Sequence, residues 1–549
     1  MAKLKLQFAS LLTLGILSGF VFSIVLAVAY YGSFISAPAL IIFTVLINFI
    51  IWLVSPWFSD LINKWFYKTK FYTHEELKSE SWMKIVEKIC DKYDIKVPKI
   101  GIIDDLNPTA FTYGSAAYNA RIVLTKGIFK FLNEKEVEAV IAHELGHIIN
   151  RDFIIMTIAS TLLQLLYQFY VIFARSRMMT SNYVGKKGEE KKGDPFIFLG
   201  LVSFVFYFVG TYLLMFLSRT REYYADEFSA KETRDPNSLS SALIKIAYGI
   251  ATVPDTASMS GLLESTRAQG IFDVKTSKEI GLIHSNVKDD KSKLEKSLLF
   301  DLVNPWAWLR ELKSTHPLVG KRIDALCKLT NNPAYDFDNI KNISYSKKRM
   351  WGGFGKDILI TYLPSLTFLI FLLLIPIGFV NRTYLFVNIF ILFVVLIFEY
   401  RTKLFYKYPL HGGFEKKHII DCMSDIYASP VRGTPIALEG EAIGRAQAGY
   451  MFSEDMMFQD KTGFIYLNYE SGIPLLGNLF FAWKKVEKLL GLHADVNGWF
   501  LRSNTHHLEL YNFSVDGQEI QSYNRMWTMI GYGFSALFLT GAFGFLLFL

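Results

Sequence analysis

Residues Asn133–Asn150 read NEKEVEAVIAHELGHIIN, and Arg151-Asp152-Phe153 lead from them straight into an apolar run that starts at Ile154. The stretch predicts a helix: Asn133 is a capping residue with Glu136 three positions on, and Val137, Val140, Ile141 and Ile148 form an apolar stripe. On such a helix His143 and His147, four apart, share a face and reach one metal ion; zinc takes imidazole nitrogens at about 2.0–2.1 Å. Glu144, one residue on, stands beside the metal, placed to take a proton from bound water. The competing reading is a chance spacing. A capped amphipathic helix running into an apolar segment argues against chance.

Working outward, the 549 residues are 51% hydrophobic, 16% aromatic and 20% charged, with a mean hydropathy of +0.26, which is apolar for a soluble protein. Much of the apolar content gathers into blocks long enough to cross a bilayer, which takes about 20 helical residues. Seven spans are expected, at Phe8–Tyr31, Ala37–Val54, Ile154–Arg175, Phe196–Leu217, Ile358–Val380, Tyr384–Tyr400 and Met526–Phe548. Ala27-Val28-Ala29 resembles a signal-peptide cleavage site. The apolar stretch before it exceeds the roughly 7–15 residues of a signal core, so an uncleaved span is expected.

The formal net charge is +8. Lys and Arg gather beside span ends, at Lys64, Lys68 and Lys70, at Lys347, Lys348 and Arg349, at Arg401, Lys403 and Lys407, and at Arg525. Positive flanks face the cytoplasm. The N-terminus and segments 55–153, 218–357 and 401–525 are therefore expected there, in the plasma membrane of a prokaryote, with the C-terminus outside. The basic link between the third and fourth spans, with Lys186, Lys187, Lys191 and Lys192, runs against this topology. Three scattered cysteines, Cys90, Cys327 and Cys422, do not make a disulfide framework.

A catalytic zinc takes three protein ligands and keeps one position for water. The candidate third donor lies in Ser218–Asp226, SRTREYYAD, where a helix places Glu222 and Asp226 on one face. Spacing alone leaves Glu222 between a ligand and one of the alternating charges of an exposed helix. His-Glu-Leu-Gly-His, followed by Asn150 and Asp152, and then Ser-Arg-Thr-Arg-Glu-Tyr-Tyr-Ala-Asp beyond an apolar hairpin, resembles the HtpX-like membrane zinc metallopeptidases, relatives of the membrane CAAX prenyl proteases. The resemblance runs from about residue 8 to 330. It implies a mainly α (α+β) domain of gluzincin type within an α-helical membrane protein, with one catalytic Zn2+ held by His143, His147 and Glu222. It also implies a supporting role for Asp226.

Asp152 is expected beside the ligands. Ser314-Thr315-His316-Pro317-Leu318, followed by Arg322, is similar to the family's Thr-His-Pro stretch and implies that His316 steadies the oxyanion, with Arg322 as its partner. Thr109-Ala110-Phe111-Thr112-Tyr113-Gly114 resembles the family's Asn-Ala-Phe-Ala-Thr-Gly, with Thr109 where an asparagine is usual. Thr109, Ala110 and Phe111 open a strand whose free edge is expected to hold an extended substrate by backbone pairing.

Expected domains are a transmembrane hairpin over 1–56, a metalloprotease domain over 57–350 that includes the hairpin 154–217, a second hairpin over 351–402, a small β-rich module over 403–523 and a last span over 524–549. In the module, Thr434–Ala442, Gly449–Phe452, Phe464–Tyr469 and Leu508–Tyr511 look like strands, and a small barrel or sandwich is expected. His506 and His507, adjacent on a strand, point to opposite faces and so do not make a metal pair. There is no repeat, phosphate-binding glycine loop or nucleic-acid motif. Partners are expected to be protein or peptide substrates, the lipid bilayer and whatever binds the C-terminal module, with no nucleic acid. Three functions compete: a quality-control endopeptidase, a processing peptidase for lipidated or membrane-anchored substrates, and an inactive membrane scaffold.

Overall fold

The computed structural model describes residues 2–31, 36–180, 195–252, 291–337, 345–378, 382–410, 412–445, 453–503 and 506–548. The basic link at 181–194 and the strand expected at Gly449–Phe452 lie outside these residues. The chain folds as two compact units: described residues of Met1–Gly249 and Arg310–Ala334 form the first, and those of Ile250–Ser260, Lys275–Leu309 and Tyr335–Leu549 the second.

In the first unit the helices α1 (Ala2–Tyr31), α2 (Ser36–Phe66), α5 (Asp152–Thr180) and α6 (Pro195–Thr233) carry the first four expected spans. Leu17 and Ile24 of α1 pack with Leu166 and Phe169 of α5 and with Leu199 and Leu217 of α6. The polar face of α5 is used as well, since the Thr44 hydroxyl donates to Gln168 Oε1 at 2.7 Å. Beside these helices lie α3 (Met83–Tyr93), the site helix α4 (Glu134–Ile149) and a four-stranded sheet of β1 (Lys70–Tyr72), β2 (Lys99–Ile103), β3 (Ala110–Tyr113) and β4 (Arg121–Thr125). Its order is β1-β2-β4-β3, with β2 and β4 parallel and the other pairs antiparallel. β3 is an edge strand, and α4 packs against it. Helix α7 (Pro236–Thr252), as far as Gly249, and helix α9 (Val319–Cys327) also belong to this unit.

The second unit holds α8 (Lys291–Val303), α10 (Lys347–Gly378), α11 (Arg382–Lys407), the β-rich module and α12 (Asn524–Phe548). Leu392 and Leu396 of α11 pack against Ala536 and Phe543 of α12. α8 lies in the sequence segment expected for the protease domain but sits in this unit, because Arg502 reaches it. The Arg502 guanidinium lies 3.7 Å from the Phe300 ring centre and donates to the Ser297 carbonyl at 3.0 Å.

All seven expected spans are helical over their described residues. Five are long and apolar enough among the described residues to cross a membrane, within Thr44–Phe66, Asp152–Phe173, Phe198–Thr233, Lys347–Leu373 and Asn524–Leu547. The described apolar part of the first, Ser10–Val25, is shorter. The sixth, on α11 (Arg382–Lys407), is not among these five, and carries Glu399, Arg401 and Lys403 in its second half.

The module is a closed barrel. β6 (Thr434–Arg445) pairs with β9 (His493–Leu501), β9 with β10 (His507–Val515), β10 with β8 (Phe464–Asn468), β8 with β7 (Met456–Gln459), and β7 with β6. Only the β8–β10 pair in this ring is parallel. The ring order, with a helical segment between the third and fourth strands, is that of an OB-type barrel. β5 (Glu415–Lys416) and β11 (Gln518–Gln521) extend it. Turn chemistry matches the sequence: Asp460 Oδ1 accepts from the backbone of Thr462 and Gly463 between β7 and β8, and Asp516-Gly517, both at positive φ, close the β10–β11 hairpin. Trp499 is fully buried at one end, its Nε1 donating to the Pro409 carbonyl at 2.8 Å and its ring packed on Tyr408, Phe414 and Tyr511. Trp499→Ala is expected to cost about 3–5 kcal/mol and to lower the thermal midpoint of the detergent-solubilised chain. Trp499→Phe is expected to lower it less, and equal midpoints would refute this packing role.

Candidate active site

The site forms where α4, the end of α6 and the start of α5 converge. The cap of α4 is the expected one: Asn133 Oδ1 accepts from Glu136 N at 3.0 Å and Glu136 Oε2 accepts from Asn133 N at 2.8 Å. Val137, Val140, Ile141 and Ile148 are all buried, which turns the His143–His147 edge towards α6. Gly146 permits the approach, since a Cβ there would lie 3.2 Å from the backbone of Ala225 and 3.2 Å from the Phe228 ring. After Asn150, Arg151 takes a left-handed φ of 58°, so the chain turns sharply and the first residue of α5, Asp152, comes back onto His147.

Three donors meet. His143 Nε2 lies 3.2 Å from His147 Nε2 and 3.5 Å from Glu222 Oε2, and His147 Nε2 lies 3.6 Å from Glu222 Oε1. These ligand atoms all fall within 4.8 Å of one another, and theirs is the one such group among the described residues. The outer ring nitrogens are held too: Asp226 Oδ1 is 3.0 Å from His143 Nδ1, and Asp152 Oδ2 is 2.6 Å from His147 Nδ1. That arrangement fixes which imidazole nitrogen faces the metal position.

Further charges complete the surroundings. Arg322, fully buried, donates to both oxygens of Asp226 at 2.8 and 2.6 Å and lies 3.5 Å from Glu222. Arg221 pairs with Asp152. His316 Nε2 is 3.5 Å from Glu222 Oε1. Glu144 is fully buried, and its Oε2 accepts from the Thr112 hydroxyl at 2.5 Å. Burial holds the Glu144 carboxyl above the ordinary carboxylate range, against the opposing pull of His143 and His147.

The donor set fits a divalent cation. Four buried carboxylates, Glu144, Asp152, Glu222 and Asp226, face two buried guanidinium groups, Arg221 and Arg322. That leaves two formal negative charges in a low-dielectric pocket, which is costly without a counter-charge. Glu222 Oε2 and Glu144 Oε1 are buried with no hydrogen-bond partner among the described residues. The His143 imidazole, which burial alone would push down, is carried up to about 9 by its contacts with Asp226 and Glu222. The pocket favours positive charge at that position.

Every sequence candidate for the catalytic and supporting groups therefore falls in one cluster. The strand candidates lie beside it. Thr109 accepts from Thr125 N and donates its own N–H to the Thr125 hydroxyl. The Phe111 side chain is buried with Ile103, Tyr113 and Val123, so contact with a substrate there falls to the main chain. Two site residues escaped the sequence reading. Thr112 was visible as the hydroxyl on the strand face that alternation points towards α4. Arg221 lay inside the quoted Arg-Glu motif without a sequence signal for its partner.

These donors, with Glu222 on a helix that runs on from an apolar span and the two histidines on a helix that leads by one turn into another, define a membrane metallopeptidase. Residues 76–330 match Peptidase family M48. A Protease HtpX homolog from Pyrococcus abyssi is 36% identical over 202 residues, 37% of this chain and 68% of that protein. Another, from Thermococcus sibiricus, is 28% identical over 335 residues, 59% of this chain and 97% of that one. The crystal structure of S. mikatae Ste24p matches with a TM-score of 0.34 and 18% identity over 59% of this chain and 67% of that one, too low to bear on the fold. The chain belongs to the HtpX-like metalloproteases of family M48. Asp152→Asn is expected to weaken metal binding about 10–100-fold through loss of the His147 contact, read by chelator competition; unchanged affinity would contradict the arrangement.

Proposed function

We propose that this metalloprotease is a zinc-dependent endopeptidase that cuts misfolded or damaged membrane proteins at the cytoplasmic face of a prokaryotic plasma membrane, in the service of quality control. The observation that carries the reading is the convergence of His143, His147 and Glu222 within 4.8 Å beside the buried carboxyl of Glu144. Those three side chains would hold the ion, and zinc, when bound, supplies the Lewis acidity that activates water and polarises a carbonyl.

The chain's own residues do the rest. Glu144 takes the proton of the attacking water and returns it to the leaving amine. Thr112 occupies Oε2 of Glu144 and leaves Oε1 for that exchange. Asp226 and Asp152 orient the two imidazoles, and Arg322 anchors Asp226. His316, an imidazole at the edge of the donor set with no ligand role, donates to the developing oxyanion. The free edge of β3, at Ala110 and Phe111, pairs with an extended peptide and leads it past Glu144.

An unfolded segment can take up that extended conformation and a folded domain cannot, which supports the quality-control role. The basic flanks of the spans support the cytoplasmic orientation. The barrel within 403–523 is the candidate surface for recruiting substrates or partners.

Glu144→Gln is expected to retain its metal while cleavage of casein and of unfolded membrane substrates falls by about 10²–10⁴-fold or more. Metal content and peptide release, measured side by side, check this. Undiminished cleavage in that variant would overturn the assignment, and strict dependence on a lipidated substrate would replace the quality-control role with processing.

A further inference from the structure

The start of α10 reads Trp351-Gly352-Gly353-Phe354-Gly355, three glycines in five helical positions just before the apolar run at Ile358. A glycine inside a helix costs about 1 kcal/mol relative to alanine. Packing within the described structure does not demand it at two of these places: a Cβ on Gly352 or Gly355 would meet no atom within 4 Å. At Gly353 a Cβ would come to 3.4 Å from Arg432 Nη1. Gly353 forms part of the wall of a cavity of about 230 Å³ within the second unit.

Two arginines line that cavity, and both are organised around Tyr427. Arg432 donates Nη2 to the Tyr427 carbonyl at 2.7 Å, and the Arg349 guanidinium lies over the Tyr427 ring, 4.3 Å from its centre. The Arg349 guanidinium has no hydrogen bond or ion pair with a described residue, so its N–H groups stay available. The two carboxylates of the wall are engaged by the protein. Asp357, 1% exposed, accepts from Trp306 Nε1 at 2.9 Å and from the Tyr406 hydroxyl at 2.5 Å, and lies 3.6 Å from Arg432. Asp425 Oδ1 accepts from Tyr427 N at 2.9 Å. Both acids thus serve as braces for the wall.

The depth of the cavity is set by the sequence. It lies on residues 349–357 of α10, immediately before the expected span begins at Ile358. Lys347, Lys348 and Trp351 are exposed beside it. Basic residues and tryptophan next to a span mark the headgroup layer of an anionic leaflet. A guanidinium fork matches phosphate oxygens in shape and charge.

We propose that this cavity binds the phosphate of an anionic phospholipid headgroup. Arg349 and Arg432 donate to the phosphate oxygens, and the glycine face of α10 lets the rest of the headgroup lie against the helix backbone.

The test uses the full chain in detergent, equilibrated with equal amounts of phosphatidylglycerol and phosphatidylcholine, with retained lipid counted by native mass spectrometry. Wild type is expected to retain phosphatidylglycerol about fivefold or more over phosphatidylcholine. Arg349→Glu, which gives up a stacking contact on Tyr427 but no hydrogen bond or ion pair of the guanidinium, and Gly353→Leu, which fills the cavity, are each expected to abolish the preference. Lys348→Glu is expected to keep it. A preference that survives Arg349→Glu, or that Lys348→Glu removes equally, overturns the proposal, because diffuse surface charge would then explain it. If Gly353→Leu fails to fold, the Arg349 and Lys348 arms decide. Inorganic phosphate at tens of millimolar that displaces the lipid, and stabilises lipid-free wild type, would assign the cavity to soluble phosphate and overturn the lipid source.

Discussion

Glu222 and Asp226 lie one turn apart on α6 and meet His143 at both ring nitrogens. Much of the first unit is arranged to allow that contact. It requires α6 to run on from an apolar span without a break, Gly146 to admit the backbone of Ala225, and Arg322 from a distant part of the sequence to neutralise Asp226 inside the protein. A buried carboxylate left without such a partner would be destabilising by several kcal/mol. The last segment of the family match, at Arg322, therefore holds together a site begun at His143.

The same constraint explains the sharp turn at Arg151. A straight continuation of α4 would carry Asp152 away from His147. A left-handed residue there costs roughly 1–2 kcal/mol, and the contacts of Asp152 with His147 and Arg221 offset it. Local strain and buried charge are thus gathered at the candidate site, while the sheet and the apolar helices around it are regular.

How far the sequence could be read depended on whether the determining interactions were local. The cap at Asn133, the shared face of His143 and His147, the apolar spans and the Asp460 and Asp516 turns are set within a few residues, and each was legible. Glu222 was ambiguous from spacing and was resolved by resemblance. Arg221 was missed because its partner, Asp152, lies on another helix. Strands β7 and β9 were not among the expected strands. Asn497-Gly498 is a turn signal by composition, yet it sits mid-strand, because a Cβ at Gly498 would come within 2.4 Å of the Glu509 carbonyl on β10. The placement of α8 with the barrel likewise depends on Arg502, some 200 residues away in sequence.

The central claim is that Glu222 completes a three-ligand metal site with His143 and His147. Its most direct test is zinc stoichiometry of the purified full chain beside Glu222→Ala, both at matched folding. The account predicts about one ion per chain in wild type and loss of most of it in the variant. Normal metal retention by Glu222→Ala would contradict it.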